Sequence, residues 1–370
     1  MMPDQSDAAF IDGRPVALAV AVAHAAKLLG EARFPLVAGL GTDIDGARAA
    51  IALAERLRGA FDHMHSGAIF NTLDVLRETG MMLTTPGEVR VRADTILLVG
   101  PGLAGEWPEI WQRLALHQPP PLGTDGPRRV IWLSPGATQA PQGLTIDRID
   151  CAASSLPAAL AALRARMTGR ATGPSPVSVA TLDQIAGVLK GAKIGVAIWA
   201  QGDLEALATQ MLCDLVFDLN KATRFSGLPI APGGNGAGVT LVAGWMTGFP
   251  MRTGFGRGYP EHDTWRFEAA RLIDSGEADA ALWIDAMRGP LPNWKLPLVA
   301  LTAADMVFLT PPAVQIYVGR PGVDHDGVLH DAATGLLLSA PATHPSAAQK
   351  IADIISQIAA ALVPEGAWPC

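Results

Sequence analysis

Apolar segments of strand length alternate along this chain with segments whose apolar residues recur at helical spacing. The first such unit runs from "FPLVAGLG", which ends in glycines, into the helical pattern "DIDGARAAIALAERLRG". A buried strand followed by a Gly-containing turn recurs in "ADTILLVGPGL", "RRVIWLSPG" and "AKIGVAIWAQG". A further strand, "ADAALWIDAM", is expected after the helical pattern "TWRFEAARLIDSG". Because strands joined through helices pair in parallel, this alternation predicts an α/β fold whose parallel sheets are covered on both faces.

A stretch rich in Gly, Pro, Ser and Thr, "RMTGRATGPSPVS", separates two halves of this pattern. We therefore predict a first α/β module over residues 15–170, a linker over residues 171–178 and a similar second module over residues 179–300. Residues 301–370 are expected to complete the fold with further strands and a last helix. Residues 1–14 are expected to be a mobile tail. The strands expected near the C-terminus are "PLVALT", "DMVFLTP" and "AVQIYVG".

The composition is poor in charge. Hydrophobic residues make up 49% of the chain and charged residues only 17%, against about 25% in typical soluble domains. Nine tryptophans add large apolar area. Since exposed apolar patches mark interfaces, we expect a subunit that buries much of its exterior against other chains.

Charge and hydropathy exclude two classes of partner. The net charge is −7 and no basic stripe is present, which argues against nucleic acid. No apolar run approaches the roughly 20 residues of a membrane span. The acidic start "MMPDQSDAAF" lacks the charged and apolar regions of a signal peptide. We therefore expect a cytoplasmic protein.

Cysteines and histidines do not form a metal-ligand pattern. The three cysteines are an odd number at wide spacings, so they predict neither a disulfide framework nor a ligand cluster: Cys151, Cys213 and Cys370. Two histidine pairs lack the third ligand that a metal site needs: His63 with His65, and His325 with His330. The spacing favours hydrogen-bonded loop histidines.

Two Gly-rich segments, "LGTDIDG" and "PGGNGAG", invite comparison with nucleotide-binding loops. Neither fits the G-x-G-x-x-G fingerprint in a strand-to-helix turn, and no Walker sequence is present. No G-x-S-x-G nucleophile elbow occurs either. Plain turns are the favoured interpretation.

The segment "TGFPMRTGFGRGYP", Thr247 to Pro260, is the most unusual in the chain. It combines four glycines, two prolines and two arginines with three aromatic rings, so we expect a shaped loop rather than a helix or strand. Glycines let a backbone approach a ligand closely, and arginines bind anions.

A known family shares this loop and three further phrases in the same order: "GEVRVRADTILLVG", "DLVFDLNKATRFS", "WMTGFPMRTGFGRGYP" and "LIDSGEADAALWI". Together they resemble the B subunit of formylmethanofuran dehydrogenase, the molybdenum or tungsten pterin subunit of that complex. The resemblance runs from about Phe34 to about Pro341. It implies two doubly wound, Rossmann-like modules, as in the molybdopterin oxidoreductase fold. It also places the segment from Thr247 to Pro260, which we call the arginine loop, at the wall of a ligand crevice.

Departures from the family pattern bear on function. The resembled dehydrogenase subunits begin with a Cys-rich segment that holds an iron–sulfur cluster, whereas no cysteine precedes Cys151 here. The family's metal-ligating Cys or selenocysteine falls within "HMHSGAIFN", nearest to Ala68, where only His65 or Ser66 would be a substitute ligand. We therefore expect a fold without the N-terminal iron–sulfur domain, no metal ligand, no bound pterin and no redox chemistry.

Within this family, the chain resembles the cofactor-less B subunit of the formyltransferase/hydrolase complex of tetrahydromethanopterin-dependent one-carbon metabolism. The resemblance implies a scaffold without catalytic residues, assembled with A, C and D type subunits that transfer a formyl group to a methanofuran-type carrier and hydrolyse it to formate. One alternative is an active molybdenum- or tungsten-pterin dehydrogenase subunit. A third, an unrelated dinucleotide-dependent oxidoreductase, lacks its fingerprint.

The resemblance leaves two interpretations open for the arginine loop. In one, Arg252 and Arg257, with backbone N–H groups near Gly254 and Gly256, bind an anion: the glutamate-rich tail of a carrier or an acidic partner surface. In the other, both arginines form internal ion pairs that hold the loop, with Glu261 or Asp263 as candidate partners.

Overall fold

The computed structural model describes residues 9–123, 126–139 and 141–362. Most of the expected tail and Cys370 lie outside these residues. The strands of the described part are β1 (Ala9–Ile11), β2 (Arg14–Pro15), β3 (Pro35–Gly41), β4 (Ala60–His63), β5 (Thr95–Val99), β6 (Arg129–Leu133), β7 (Asp147–Ile149), β8 (Ile194–Ala200), β9 (Arg224–Ile230), β10 (Thr253–Gly254), β11 (Glu261–His262), β12 (Ala280–Asp285), β13 (Leu298–Thr302), β14 (Val314–Tyr317), β15 (Gly327–Asp331) and β16 (Leu336–Ala340).

Twelve α-helices accompany these strands in the described part of the chain. They are α1 (Leu18–Glu31), α2 (Ile44–Arg56), α3 (Ser66–Thr79), α4 (Pro86–Arg92), α5 (Leu103–Glu106), α6 (Ile110–Leu114), α7 (Leu156–Met167), α8 (Val179–Lys190), α9 (Ala206–Leu219), α10 (Gly236–Thr247), α11 (Ala269–Asp274) and α12 (Ile351–Ala361). None of them is long and apolar enough to cross a membrane.

The chain divides into two compact units. The first unit contains residues 1–66, 233–330 and 337–370, and the second contains residues 67–232 and 331–336. These bounds differ from the consecutive modules expected at residues 15–170 and 179–300. The expected linker over 171–178 connects α7 to α8 inside the second unit. The difference arises because strand pairing, rather than order along the chain, decides which segments pack together.

A nine-stranded sheet forms the first unit, in the order β11-β10-β4-β3-β12-β13-β14-β1-β2. The five strands from β4 to β14 are parallel, and both sheet edges are antiparallel. Four of these parallel strands are buried over their whole length: β3, β4, β12 and β13. The Asp279 carboxylate accepts the backbone N–H groups of Arg33 and Phe34, each at 3.0 Å, where β3 and β12 begin.

The expected tail contributes to this sheet. β1 pairs antiparallel with β14, from Ala9 opposite Ile316 to Ile11 opposite Val314, and β2 pairs with β1. Main-chain hydrogen bonds therefore hold residues 9–14, which were expected to be part of a mobile tail. A strand of two or three residues is too short to give a periodic pattern in sequence.

A five-stranded parallel sheet forms the second unit, in the order β7-β6-β5-β8-β9. One face of it packs on a buried cluster that includes residues of α7, α8 and α9, and the other on a cluster that includes residues of α4, α5 and α6. Trp199 and Trp132 lie in these two clusters. The parallel sheet covered on both faces, predicted from the alternation of patterns, is confirmed here.

Capping side chains define several helix starts. Asp43 accepts the backbone N–H of Gly46 at 2.9 Å at the start of α2, and Ser178 accepts that of Thr181 at 3.2 Å at the start of α8. Thr85 caps α4, which also has a proline in its first turn. These side chains satisfy N–H groups that have no partner within the helix.

Candidate functional site

The arginine loop begins where α10 ends and contains a short strand. Within it, β10 pairs antiparallel with both β4 and β11, so that Thr253 lies opposite Phe61 and His262. The backbone N–H of Phe255 also donates to the carbonyl of Gly59 at 2.8 Å. The loop thus contributes the second strand of the nine-stranded sheet, next to the edge strand β11, although its sequence predicted no strand.

Arg252 is held inside the first unit. Its side chain is only 13% exposed. Nη2 lies 2.9 Å from Oε1 of Glu268, Nε lies 3.6 Å from Oδ2 of Asp62, and Nη1 donates to the carbonyl of Thr264. These contacts favour the internal ion pairs left open for the loop, with Asp62 and Glu268 in place of the expected Glu261 or Asp263.

Arg257 differs from Arg252 because it lies at the surface. Its side chain is 64% exposed, and Nη1 lies 3.3 Å from Oε1 of Glu261. Arg266 reaches the same Glu261 carboxylate at 3.9 Å. One carboxylate therefore faces two guanidinium groups, and the exposed Asp263 nearby in the chain balances the second positive charge.

The two glycines named with these arginines have different surroundings. A Cβ on Gly254 would lie 2.2 Å from the ring of Phe267, so a buried aromatic ring packs directly against this backbone. A Cβ on Gly256 would meet Phe34 at an ordinary 3.7 Å, and Gly256 is exposed. Gly254 thus provides space for packing within the unit.

Asp62 connects the loop to the end of β4. Its Oδ1 accepts the hydroxyl of Ser66, and its Oδ2 accepts the backbone N–H of Ala269 at 3.0 Å. Burial raises the pKa of Asp62 to about 6, although nearby Arg252 and these hydrogen bonds oppose the rise. The sequence analysis did not single out Asp62, because a lone aspartate in a short strand carries no spacing signal.

Both ring nitrogens of His63 have partners. Nδ1 accepts the backbone N–H of His65 at 3.1 Å, and Nε2 lies 3.1 Å from the carbonyl oxygen of Gly234, to which it donates. Burial lowers the pKa of His63 to about 4, so the neutral ring is favoured. His63 therefore joins β4 to the turn before α10.

Asp285 is a second buried carboxylate that the sequence analysis missed. It ends β12, beside the end of β3, and is fully buried. Oδ1 accepts the backbone N–H of Met287 at 2.8 Å, and the backbone of Arg288 and Gly289 also hydrogen-bonds to this carboxylate. Burial raises the pKa of Asp285 to about 6. A Cβ on Gly41 would lie 2.5 Å from Oδ1, so a glycine at that position makes room for the carboxylate.

The position nearest the family's metal ligand, Ala68, lies in the first turn of α3 and is half-buried. Its methyl group lies 3.9 Å from where a Cβ on Gly202 would stand. Ser66, one of the two expected substitutes, uses its hydroxyl on Asp62. Across residues 9–123, 126–139 and 141–362, no three His, Cys, Asp or Glu side chains are grouped to hold a metal ion.

Comparison with known proteins gives the family. No family model matches the sequence. The chain is 34% identical over 371 residues to the B subunit of the formyltransferase/hydrolase complex Fhc of Methylorubrum extorquens, and the match covers 97% of this chain and 99% of that protein. The chain belongs to the family of the Fhc B subunit. The resemblance identified from four phrases of the sequence is thereby confirmed.

Further comparisons agree with membership of the Fhc B-subunit family. The B subunits of tungsten-containing formylmethanofuran dehydrogenase 2 from Methanocaldococcus jannaschii and Methanococcus maripaludis are 27% and 24% identical, over 73% and 72% of this chain and 64% of each of those proteins. The crystal structure of the complex FhcABCD from Methylorubrum extorquens with methylofuran contains a chain that is 32% identical. That match has a TM-score of 0.84 and covers 95% of this chain and 97% of the other.

Proposed function

We propose that this chain is the non-redox scaffold subunit of a formyltransferase/hydrolase complex, which transfers a formyl group from the tetrahydromethanopterin cofactor to a methanofuran-type carrier and hydrolyses it to formate. The observation that carries the proposal is the match to the Fhc B subunit across nearly the whole of both chains. The formylmethanofuran dehydrogenase subunits match over only 64% of their own length. Their additional residues therefore have no aligned counterpart in this chain.

The available donor atoms do not fit a thiolate-bound metal. Ala68 has no ligating atom, and the hydroxyl of Ser66 and both ring nitrogens of His63 already have partners. Burial raises the pKa of the Cys213 thiol to about 12, which disfavours the thiolate that binds metals. These features support a subunit that holds no molybdenum or tungsten.

We also infer that both units are modules of the molybdopterin oxidoreductase type. In each sheet the chain first adds strands on one side of a central strand and later adds strands on its other side. This change of direction lies between β3 and β12 in the first unit and between β5 and β8 in the second. Open α/β sheets bind ligands at such points, beyond the carboxyl ends of the strands. In this chain each point carries a carboxylate: Asp285 in the first unit and Asp203, which accepts the N–H of Gly102, in the second. A negative charge at both points opposes the phosphates of a dinucleotide.

The partners follow from the relative's complex. FhcABCD contains four kinds of subunit and was crystallised with methylofuran. We infer that this chain assembles with A, C and D type subunits, and that the assembled complex binds a carrier of the same chemical class. The charge-poor composition of the chain fits such an assembly independently.

Purification of the native complex through a tag on this chain tests the proposal. We expect A, C and D type chains to co-purify, formyltransferase and hydrolase activity in the product, and molybdenum, tungsten and iron well below one atom per chain. Near-stoichiometric metal, together with a pterin released on denaturation, would instead establish the dehydrogenase alternative. A chain that purifies without partners would contradict the scaffold role.

A further inference from the structure

The outer face of α10 is unusually apolar for a helix at a protein surface. The helix has no charged residue over its twelve positions, "GAGVTLVAGWMT". Its inner face is buried through Val239, Val242 and Ala243. In a surface helix, the face opposite such a buried face normally carries polar or charged residues. Here the outward positions carry large hydrophobic side chains instead.

Three of these side chains, together with one just after the helix, define what we call the α10 face: Leu241, Trp245, Met246 and Phe249. Trp245 is 54% exposed, and the other three are between 38% and 45% exposed. The glycine at position 244 lies exposed among them, and a Cβ there would meet no atom within 4 Å. The α10 face therefore consists of apolar side chains that are exposed to solvent around an uncovered glycine.

The α10 face continues into the arginine loop within the same unit. The ring of Phe249 stacks on His262, with ring centroids 5.8 Å apart and planes inclined by 15°. Two further exposed aromatic residues flank His262 in the sequence, Tyr259 and Trp265, at 52% and 67% exposure. The guanidinium of Arg271 lies 4.7 Å from the ring centroid of Trp265 and orients that ring.

The edge of this surface carries balanced charge. Arg252 is buried against two carboxylates. The exposed Arg257 and Arg266 lie beside Glu261, and the exposed Asp263 stands between them in the sequence. Since α10 itself has no charged residue, a partner that covers this surface needs an apolar contact area.

We propose that the α10 face is the docking surface for a partner subunit of the complex, which meets it with an apolar contact area that has a pocket at its centre. This proposal rests on the proposed function, since the partner is a subunit of the same complex. Trp245 serves as the central anchor that enters the pocket. Tryptophan and arginine are the residues that most often dominate binding at protein interfaces.

Two other occupants fit the chemistry less well. A carrier with a glutamate-rich tail needs cations along its length, and α10 offers none. A second copy of this chain would bring the same patch against itself across a two-fold axis. The related chain lies in a complex with unlike subunits, FhcABCD, so an unlike subunit is the occupant that the comparison favours.

Retention of this chain by its partners tests the proposal. The chain is co-expressed with its A, C and D type partners and captured through a tag on one of them. We expect Leu241→Glu and Trp245→Glu each to lower the captured fraction at least tenfold, because they bury an unpaired negative charge in an apolar contact and remove apolar contact area. The matched control is Leu207→Glu, a similarly exposed leucine on α9 of the second unit, which should leave capture unchanged. Unfolding temperatures of the isolated variants verify that they fold.

Thiol labelling provides a second measurement that does not depend on disrupting the complex. Gly244→Cys and Gly187→Cys place a thiol on an exposed helix glycine where a Cβ meets no atom, on α10 and α8 respectively. In the intact complex, we expect a maleimide to modify the thiol at position 244 at least tenfold more slowly than the thiol at position 187. In the isolated chain, we expect the two thiols to react at similar rates.

Three results would overturn the proposal. The first is a captured fraction of both Glu variants within twofold of that of the unchanged protein, or equal labelling rates of the two introduced thiols in the complex. The second is loss of carrier from a complex that stays assembled, which would assign the face to the carrier. The third is an effect confined to self-association of the isolated chain, which would identify a homodimer surface. Failure of the proposed function itself would appear separately, as the absence of co-purifying A, C and D type chains.

Discussion

The guanidinium of Arg252 lies beside the buried carboxylate of Asp62, with 3.6 Å between Nε and Oδ2. Because Asp62 lies near the end of β4 and Arg252 immediately precedes β10, this ion pair joins the arginine loop to the sheet edge. Glu268 pairs with the same guanidinium from the segment before α11. A residue that the sequence marked as a candidate ligand contact thus connects three segments of the first unit.

Arg252→Met should destabilise the chain strongly. Removing one member of a buried ion pair leaves an uncompensated charge, which costs about 3–5 kcal/mol. Asp62 can take up a proton, since its pKa is already about 6, so we expect a value near the lower end. The measurement is urea unfolding at pH 7. Arg257→Met, on an exposed arginine, is the control and should change the free energy of unfolding by less than about 0.5 kcal/mol. Equal effects of the two variants would contradict the assignment of Arg252 to a structural role.

Asp285→Asn should stabilise the chain more at pH 8 than at pH 4. The folded-state pKa of Asp285 is about 6, above the ordinary value of 3.8, so the folded chain holds a proton that the unfolded chain releases. This contribution to stability is fully present below about pH 4 and is lost as pH rises through about 6. Asparagine does not titrate, so the variant avoids that loss. The pH-dependent difference should be on the order of 2–3 kcal/mol, from about 1.4 kcal/mol per pKa unit. Urea unfolding at both pH values measures it, and a difference that does not change with pH would refute the burial of an ionisable carboxyl.

Gly254→Ala and Gly256→Ala form a matched pair of loop substitutions. The methyl group added at position 254 would overlap the ring of Phe267, whereas the one at position 256 makes ordinary contact with Phe34. Overpacking of a well-filled core costs about 1–3 kcal/mol. We therefore expect a lower unfolding temperature for Gly254→Ala only. If Gly256→Ala were the more damaging variant, the exposed glycine would be the one under conformational constraint.

Cys213 should be nearly inert to alkylation in the folded chain. Burial raises the pKa of its thiol to about 12, and only the thiolate reacts. At pH 8 the thiolate fraction implies a rate about a thousandfold below that of an unperturbed cysteine of pKa about 8.5. Peptide mass spectrometry after timed exposure to iodoacetamide gives the rate, with the unfolded chain as reference. Rapid modification of Cys213 in the folded state would show that a metal-binding thiolate is available after all.

Seven strands could be predicted from the sequence because each is an apolar run with a Gly or Pro boundary: β3, β5, β6, β8, β12, β13 and β14. β4 was missed because its four residues, "AFDH", include two polar ones. β9 was missed because Gly227 and Pro229 interrupt it, yet its pairing with β8 overrides their low strand propensity. The predicted strand "DMVFLTP" is absent, and its Val307 and Leu309 are exposed rather than paired in a sheet.

The candidate site was only partly accessible to sequence reasoning. Composition marked the arginine loop, but the partners of Arg252 lie 190 residues before it, at Asp62, and 16 residues after it, at Glu268. Pairs so far apart leave no spacing pattern in one sequence. The α10 face was missed for another reason. A helix that is apolar on both sides has no amphipathic period, so its outward residues cannot be told from its buried ones.

The contact between Asp279 and the amides of Arg33 and Phe34 has a consequence for synthesis of the chain. Phe34 and Asp279 are 245 residues apart, and β3 cannot pair with β12 until the latter has left the ribosome. At about 5–20 residues per second, this takes roughly 12–50 s. All five strands of the second unit's sheet are translated within that interval. During translation, the edge of β3 that β12 later occupies therefore stays unpaired while every strand of the second sheet is already synthesised.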